Sequence, residues 1–297
     1  MRGLSEPHPV TKNRILSALL NGAYRHLVPK LERVPLALGE VIYAADDPIR
    51  YVYFPETAVI SMLAIMESGD TAEVGLIGNE GMVGIRVFLG ATTEPEQAIV
   101  QVPGTAMRMD AAALREELRL GSPLQHLLLR YTQSLMRLIS QSAACNVHHP
   151  IEQRLARWLL MMYDYIVSKE LRLTQEHISV MMGSRRPSIT AAASRLQKAG
   201  LVKYTRGHIV IRDRQGLEAA ACECYWVIRE EFERLHADIP RLLSADPASR
   251  NLPAQRTATP ARAARIRRTA TKAAGSVVRM PPSRGRRPPR PLRRDHR

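Results

Sequence analysis

The sequence predicts an α+β protein with an N-terminal β domain, a long dimerisation helix and a C-terminal winged helix-turn-helix. Three patterns favour this class: short β-rich runs over residues 34–109, an apolar seam over 124–145, and two helical segments followed by a hairpin over 174–211. The expected domains are 1–121 for the β domain, 122–148 for the dimerisation helix, 149–245 for the winged helix-turn-helix and 246–297 for a disordered basic tail.

Composition limits the class of protein. The chain has 297 residues, of which 45% are hydrophobic and 24% charged, as is typical of a folded soluble protein. No run approaches the roughly 18 apolar residues of a membrane span, and the N-terminus has no apolar signal segment. Three cysteines are too few for a disulfide framework. We therefore expect a cytoplasmic protein that does not contact a membrane.

Motifs for catalysis are missing from the sequence. We find no phosphate-binding loop, no paired catalytic carboxylates and no nucleophile elbow. The glycines of residues 75–84 lack the spacing of a dinucleotide-binding loop and fit turns between strands better. An enzyme is therefore not expected.

The net charge of +15 resides almost entirely in the tail. From residue 247 onward there are fifteen Lys or Arg residues and one acid, Asp295, so residues 1–246 carry only about +1. Pro, Ala and Arg dominate this tail and aromatic residues are absent, so it cannot bury enough apolar surface to become ordered. It either adds salt-sensitive, non-specific DNA affinity or is functionally neutral. Nucleic-acid binding by the folded part must be argued from local pattern.

Apolar spacing predicts a helix over residues 14–33, and β-rich runs then predict about eight strands. Glycine, proline, aspartate and asparagine separate these runs, which favours a barrel or sandwich. Asp110 is expected to cap a short helix that ends near Gly121. The β-rich runs are residues 41–46, 51–56, 58–66, 71–78, 98–104 and 105–110.

A long helix is predicted to begin at Ser122 and Pro123, a cap followed by proline at the first helical position. Its apolar positions alternate spacings of four and three, which favours pairing with a second copy of the chain over packing on its own barrel. His148–Pro150 ends the helix and forms the expected hinge. The predicted dimer contacts are Leu124, Leu128, Tyr131, Leu135, Leu138, Ser142 and Cys145.

Residues 174–201 predict a helix-turn-helix. Thr174 caps the first helix, Gly183 supplies the turn, and Pro187 is tolerated in the first turn of the second helix. Ile189, Ala192, Ala193 and Leu196 form its packed side. The opposite side and the following hairpin supply the predicted DNA contacts: Arg185, Arg186, Ser188, Thr190, Arg195, Lys203 and Arg206.

In this order of parts the chain resembles the Crp/Fnr superfamily of bacterial transcription regulators. The resemblance spans residues 14–240 and is carried by DDPIRYVYFPETAVISML, GNEGMVGI, IEQRLARWLLMMYD and GSRRPSITAAASRLQKAGLV. It implies that the β domain is a double-stranded β-helix (a β-roll) and that a homodimer reads an inverted-repeat operator with a recognition helix at about 184–197. We expect RNA polymerase as a further partner. Arg186 matches the guanine-reading arginine, but the glutamate that commonly follows is replaced by Pro187.

Cyclic-nucleotide binding is not expected. Members of the family that bind it use a glycine–glutamate pair for the ribose, and an arginine followed by a small hydroxyl residue for the phosphate. Here Ile85 follows Gly84, and Glu96 and Gln97 stand where the phosphate-binding pair should be. A carboxylate repels a phosphate, so no response to cyclic AMP is predicted and the true effector stays unknown.

No metal or cofactor is expected either. Cys222 and Cys224 would point about 200° apart on a continuous helix, so they are predicted to be packed free thiols. His148 and His149 are predicted to cap or solvate the hinge. The N-terminal cysteines that bind an iron–sulfur cluster in the oxygen sensors of the family are absent before Cys145.

Two alternative functions stay open beside the transcription regulator. One is a signalling module whose β-roll does respond to a cyclic nucleotide. The other is an architectural protein that coats DNA through its basic tail.

Overall fold

The structure is a computed structural model that describes residues 11–244 except 20, 120, 167–169 and 206. The predicted tail and the predicted DNA contact Arg206 therefore lie outside the described residues. Among the described helices, none is both long and apolar enough to cross a membrane.

The N-terminal region contains less helix than the sequence predicts. Helices α1 (Arg14–Ser17) and α2 (Asn21–Leu27) are followed by a 3-10 turn at Val28–Lys30, and strand β1 (Leu31–Leu36) begins within the predicted helix. Strand β1 pairs along its whole length with a strand roughly 70 residues away, so tertiary pairing overrides the local helical period.

The β-rich region folds into paired sheets, with nine strands in its described part against about eight predicted. One sheet has the order β1-β9-β4 and a second has β2-β8-β5-β6, while β3 pairs with β7; all these pairs are antiparallel. After β1 come β2 (Val41–Tyr43), β3 (Asp47–Pro48), β4 (Tyr51–Pro55), β5 (Val59–Ile65), β6 (Thr71–Ile77), β7 (Thr93–Glu94), β8 (Gln97–Val102) and β9 (Gly104–Asp110).

Three helices follow the β-roll. Asp110 caps α3 (Ala111–Arg119) as predicted, because its Oδ1 accepts from the backbone N–H groups of the next turn. Helix α4 (Pro123–His148) begins at the predicted proline and ends where the backbone becomes extended at His149. Helix α5 (Ile151–Tyr165) starts directly after Pro150. The junction between α4 and α5 is therefore only two residues long.

The C-terminal domain combines helices with a three-stranded sheet of order β10-β12-β11. Residues 214–244 form two helices, because the chain leaves the helical conformation at Ala221; the continuous helix assumed for Cys222 and Cys224 is therefore wrong. In chain order the elements are β10 (Glu170–Arg172), α6 (Gln175–Met181), α7 (Arg186–Lys198), β11 (Val202–Thr205), β12 (His208–Ile211), α8 (Arg214–Ala220) and α9 (Cys224–Ser244).

The predicted fold class is confirmed: a β-roll, a long connecting helix and a winged helix-turn-helix follow one another in the chain. Buried apolar side chains from all three parts form one continuous core in the described region. The residue boundaries between the domains stay predictions.

Candidate nucleic-acid interface

Helix α7 has two chemically distinct faces. Ile189, Ala192, Ala193 and Leu196 are 0–6% exposed and pack on the rest of the domain, as the spacing predicts. Small alanines on this side let the backbone of α7 approach α5 and α6 closely. The opposite face is polar and accessible, so it is available to a ligand as large as a DNA duplex.

The turn before α7 is fixed by two features predicted from the sequence. Thr174 caps α6 through its Oγ1, which accepts from the His177 N–H at 3.1 Å. Gly183 has φ +55°, a left-handed conformation that residues with a Cβ rarely adopt. A Cβ at this position would also lie 3.2 Å from the Cβ of Ala72 on β6. The turn is thereby set both by its own backbone and by the β-roll beside it.

The first turn of α7 carries predicted DNA contacts on its exposed face. Arg185, Arg186 and Ser188 are exposed, and Pro187 occupies the second helical position. Arg186 lies 3.4 Å from Glu176, but both side chains are about two-thirds exposed. Such a surface pair contributes only about 0–1 kcal/mol, so Arg186 can leave Glu176 for a stronger acceptor.

Thr190 and Arg195 are exposed but already engaged. The Thr190 Oγ1 lies 2.7 Å from Gln175 Oε1, and Arg195 forms an ion pair with Glu152 of α5. These contacts fasten α7 to its neighbours. A contact of either residue with DNA would first have to break an existing interaction.

The predicted wing is the hairpin formed by β11 and β12. Lys203 is exposed on β11, and Gly207 has the left-handed backbone conformation at the turn. Tyr204 fixes the hairpin on both sides: its N–H donates to Gln197 of α7 at 2.7 Å, and its hydroxyl donates to the Leu173 carbonyl at 3.1 Å. The position of Lys203 is therefore coupled to that of α7.

The predicted dimer seam on α4 mostly faces its own chain, which corrects the sequence prediction. Leu124, Leu128, Tyr131, Leu138 and Cys145 are at most 1% exposed within one chain. Tyr131, for example, donates from its hydroxyl to the Met82 carbonyl at 3.1 Å. Leu135 and Ser142 are half-buried. The predicted positions do form one stripe along α4, but the β-roll and α9 cover that stripe.

A different stripe of α4 is apolar and exposed. Leu129, Met136, Ile139 and Val147 are 52%, 64%, 42% and 78% exposed, and Ala143 lies between them. Leu129, Met136 and Ala143 are seven residues apart, the spacing of a coiled-coil position. This exposed α4 stripe, rather than the predicted seam, is the face that a second copy could cover.

The region matched to a nucleotide site contains an internal ion-pair group. Arg86 lies 2.8 Å from Glu94 and forms a bidentate pair with Glu96, also at 2.8 Å. Glu94 is 2% exposed, and this burial raises its pKa; the adjoining Glu96 raises it further, while Arg86 opposes the shift. Ile85 is buried. Arg86 is thus already paired with two acidic side chains of its own chain.

The β-roll also contacts the C-terminal domain directly. Glu73 of β6 accepts hydrogen bonds from Trp158 Nε1 of α5 at 2.9 Å and from Ser61 at 2.5 Å. Gln101 of β8 hydrogen-bonds to His177 of α6. Burial raises the pKa of Glu73 to about 7, although both hydrogen bonds favour the charged form. A titratable group therefore lies at the contact between the two domains.

The prediction that Cys222 and Cys224 diverge on one helix is wrong. Cys222 precedes α9 and Cys224 is its first residue, so the break at Ala221 lets both thiols turn to the same side. They meet Cys145 and His149 at the end of α4. This cluster was not predicted from the sequence, although the four-residue spacing of Cys145 and His149 is that of neighbours on one helix face and could have indicated it.

Two family models match the chain. The model of the cyclic nucleotide-binding domain matches residues 33–119, and that of the Crp-like helix-turn-helix domain matches residues 153–220. No curated protein sequence matches the chain. The matched ranges coincide with the β-roll and with the region of α5 to α8.

Solved structures share this architecture at low sequence identity. FixK2 from Bradyrhizobium japonicum is 18% identical with a TM-score of 0.56, over 65% of this chain and 98% of that one. A CRP-family transcriptional regulator from Thermus thermophilus is 19% identical with a TM-score of 0.54, over 64% and 96%. The c-di-GMP responsive global regulator CLP from Xanthomonas campestris is 15% identical with a TM-score of 0.53, over 64% and 98%.

A cyclic nucleotide-binding-type β-roll joined to a Crp-like helix-turn-helix defines a class of transcription regulators, not of enzymes. The chain belongs to the Crp/Fnr superfamily, as its resemblance predicts.

Proposed function

We propose that the protein is a homodimeric transcription regulator that reads an inverted-repeat DNA operator through the first turn of α7. The observation that carries this proposal is the position of Arg185, Arg186 and Ser188, exposed on one face of a helix whose other face is buried. In helix-turn-helix proteins these N-terminal residues reach base edges in the major groove. Arg186 suits guanine, because its planar fork matches the O6 and N7 acceptors.

Charge supports a local site rather than a general affinity of the folded body for DNA. Residues 1–246 carry a net charge of only about +1, so long-range attraction to phosphates is weak. Arg185, Ser188 and Lys203 are exposed around Arg186 and can contact phosphates on either side of the bases it reads. The basic tail adds sequence-independent attraction in this proposal.

The dimer forms through the exposed α4 stripe. Pairing of Leu129, Met136, Ile139 and Val147 with their counterparts would remove a contiguous apolar surface from water. A two-fold axis along α4 presents two copies of α7, and successive major grooves on one side of DNA lie about 34 Å apart. The proposed operator is therefore a palindrome.

The effector in this proposal is not cyclic AMP, because Glu94 and Glu96 already bind the arginine nearest to the expected phosphate position. Ile85 offers no acceptor for a ribose hydroxyl. Contact with RNA polymerase stays a prediction from the family resemblance.

Selection of bound sequences from a random duplex pool tests the DNA-reading role. We expect the full chain to select an inverted repeat, and Arg186→Ala to lose guanine preference at one symmetric position, at a cost of about 1–3 kcal/mol per half-site. Arg119→Ala is the matched control, since Arg119 is an exposed arginine on α3 paired with Glu116. Unchanged guanine preference in Arg186→Ala would reject the assignment of that residue.

Removal of residues 247–297 separates the proposal from an architectural DNA-coating protein. Operator selection should survive in the shortened chain, while the salt dependence of binding becomes less steep because fewer phosphates are neutralised. Complete loss of sequence preference on shortening would favour the architectural function instead.

A further inference from the structure

All three cysteines of the chain meet one histidine in a single cluster. Cys145, Cys222, Cys224 and His149 each offer one ligand atom, and these four atoms lie within 4.8 Å of one another. The Sγ atoms of Cys145 and Cys222 are 3.5 Å apart, and Cys224 Sγ is 3.5 Å from His149 Nδ1. In a tetrahedral zinc site with Zn–S bonds of about 2.3 Å, neighbouring sulfurs are separated by roughly 3.8 Å. The cluster already has nearly this size.

Two elements supply two ligands each. Cys145 and His149 are one turn apart at the end of α4, where the His149 N–H still donates to the Cys145 carbonyl at 3.1 Å. Cys224 is the first residue of α9, and Cys222 lies two positions before it. The three cysteines are 0–3% exposed and the His149 side chain is 18% exposed, so the cluster is nearly closed to water.

The groups around the cluster orient and support its ligands. Glu223 lies 3.2 Å from His149 Nε2, so the imidazole can donate a hydrogen bond from Nε2. Its Nδ1 lone pair, on the side of Cys224, is then free to bind a metal ion. Gln141 donates from Nε2 to Cys224 Sγ at 3.1 Å. A carboxylate on the outer nitrogen of a ligating histidine is the usual arrangement at protein metal sites.

Positive charge lies beside the thiols. The guanidinium groups of Arg157 and Arg154 on α5 interact electrostatically with Cys145. Arg157 is 7% exposed, and none of the described ion pairs joins it or Arg154 to a carboxylate. Three thiolates on a divalent cation leave one negative charge, which these arginines would balance.

Three other interpretations of these four residues explain fewer of the contacts: a packed apolar cluster, a disulfide and an iron–sulfur cluster. Thiols packed as small apolar groups would not need an imidazole fixed by Glu223 at their edge. A disulfide between Cys145 and Cys222 would leave Cys224 and His149 without a role. An iron–sulfur cluster places several metal and sulfide atoms between its ligands, which four atoms within 4.8 Å cannot enclose.

We propose that Cys145, His149, Cys222 and Cys224 bind one Zn²⁺ ion as a closed, four-ligand structural site. Three thiolates and one imidazole in tetrahedral array are a donor set that zinc prefers, and no coordination position stays open for a substrate. The ion would join the end of α4 to the start of α9. One of its ligands, His149, lies in the two-residue junction between α4 and α5. The ion would thereby fix the orientation of the DNA-binding domain on the connecting helix.

Metal content of the full-length protein tests the site without reference to DNA. Protein expressed with added zinc and purified under reducing conditions without chelator is expected to contain one zinc ion per chain by elemental mass spectrometry. His149→Ala and Cys224→Ser should lose most of it, whereas His148→Ala, a change at the exposed neighbouring histidine, should retain it. Reconstitution with Co²⁺ should give the intense visible bands of a tetrahedral, sulfur-rich site.

Glu223→Ala provides a variant that keeps all four ligands. We expect zinc at full stoichiometry but about 10–100-fold weaker affinity in chelator competition, because the histidine loses its outer partner. This variant also tests the site if the cysteine variants fail to fold. A metal-free wild-type protein, iron with acid-labile sulfide, a native Cys145–Cys222 disulfide, or wild-type zinc affinity in both His149→Ala and Glu223→Ala would each overturn the proposal.

Discussion

At the residue scale, the proposal that the effector is not cyclic AMP rests on the side chains around Arg86. The β-roll itself matches the cyclic nucleotide-binding domain. Within it, Glu94 and Glu96 both pair with Arg86, and Ile85 is apolar and buried. A phosphate entering this region would meet the Glu96 carboxylate and a guanidinium that already pairs with Glu94 and Glu96.

This arrangement leads us to expect no binding of cyclic AMP. Titration of cyclic AMP into the full-length protein should give only the heat of dilution in a calorimeter at millimolar ligand. Because the ion pairs are formed within the chain, raising the ionic strength should not uncover a site. Saturable binding in the micromolar range would contradict the expectation and favour the cyclic-nucleotide-responsive alternative.

At the element scale, α4 carries two apolar stripes, one buried and one exposed. The buried stripe, which includes Leu128 and Tyr131, joins the helix to its own chain. The exposed stripe, which includes Leu129 and Met136, has no cover in the described structure. Both repeat at helical spacing, so their periods alone cannot tell which of them meets a partner.

Substitutions on the two stripes should therefore have different effects. Met136→Glu is expected to convert the proposed dimer into a monomer, measured by light scattering, because like charges would meet at the two-fold axis. Its effect on monomer stability should stay within about 0.5 kcal/mol. Leu128→Ala should instead lower the free energy of unfolding by about 2–5 kcal/mol.

The contrast between these variants is the control. The opposite result would favour the dimer seam predicted from the sequence. In that case Leu128→Ala would fold stably but dissociate into monomers, and Met136→Glu would stay dimeric.

At the scale of the whole molecule, the β-roll and the DNA-binding domain are joined by a titratable contact. Glu73 accepts hydrogen bonds from Ser61 of its own sheet and from Trp158 of α5. Burial raises the pKa of this carboxyl from 4.5 to about 7. The folded protein consequently binds a proton there more tightly than the unfolded chain does.

The raised pKa gives a stability that depends on pH with a defined sign. The contribution of Glu73 to the free energy of unfolding should fall as pH rises from about 4.5 to about 7 and level off above that, since ionisation of Glu73 is unfavourable in the folded state. Glu73→Gln should remove about 1–2 kcal/mol of this decline between pH 5 and pH 8, less than the full shift because the side chain is only partly buried. Denaturant titrations across that range measure it.

Glu67→Gln serves as the matched control, since it makes the same change of charge on an exposed side chain. Parallel pH profiles for wild type and Glu73→Gln would show that Glu73 does not ionise in this range.

The sequence by itself determined the class of fold and the two faces of α7. Ile189, Ala192 and Leu196 could be assigned to the core, and Arg185 and Arg186 to the surface, because helical periodicity and the Gly183 turn are local properties. The caps at Asp110 and Thr174 were predictable for the same reason.

Only the tertiary structure decided which stripe of α4 is covered and which distant residues meet. Leu31–Leu36 became a strand because β9 pairs with it, and the break at Ala221 brought Cys222 and Cys224 to the end of α4. Contacts between residues separated by roughly 70 or more positions leave no period in the sequence. They follow from how whole elements pack, and that packing also defines the cysteine–histidine cluster.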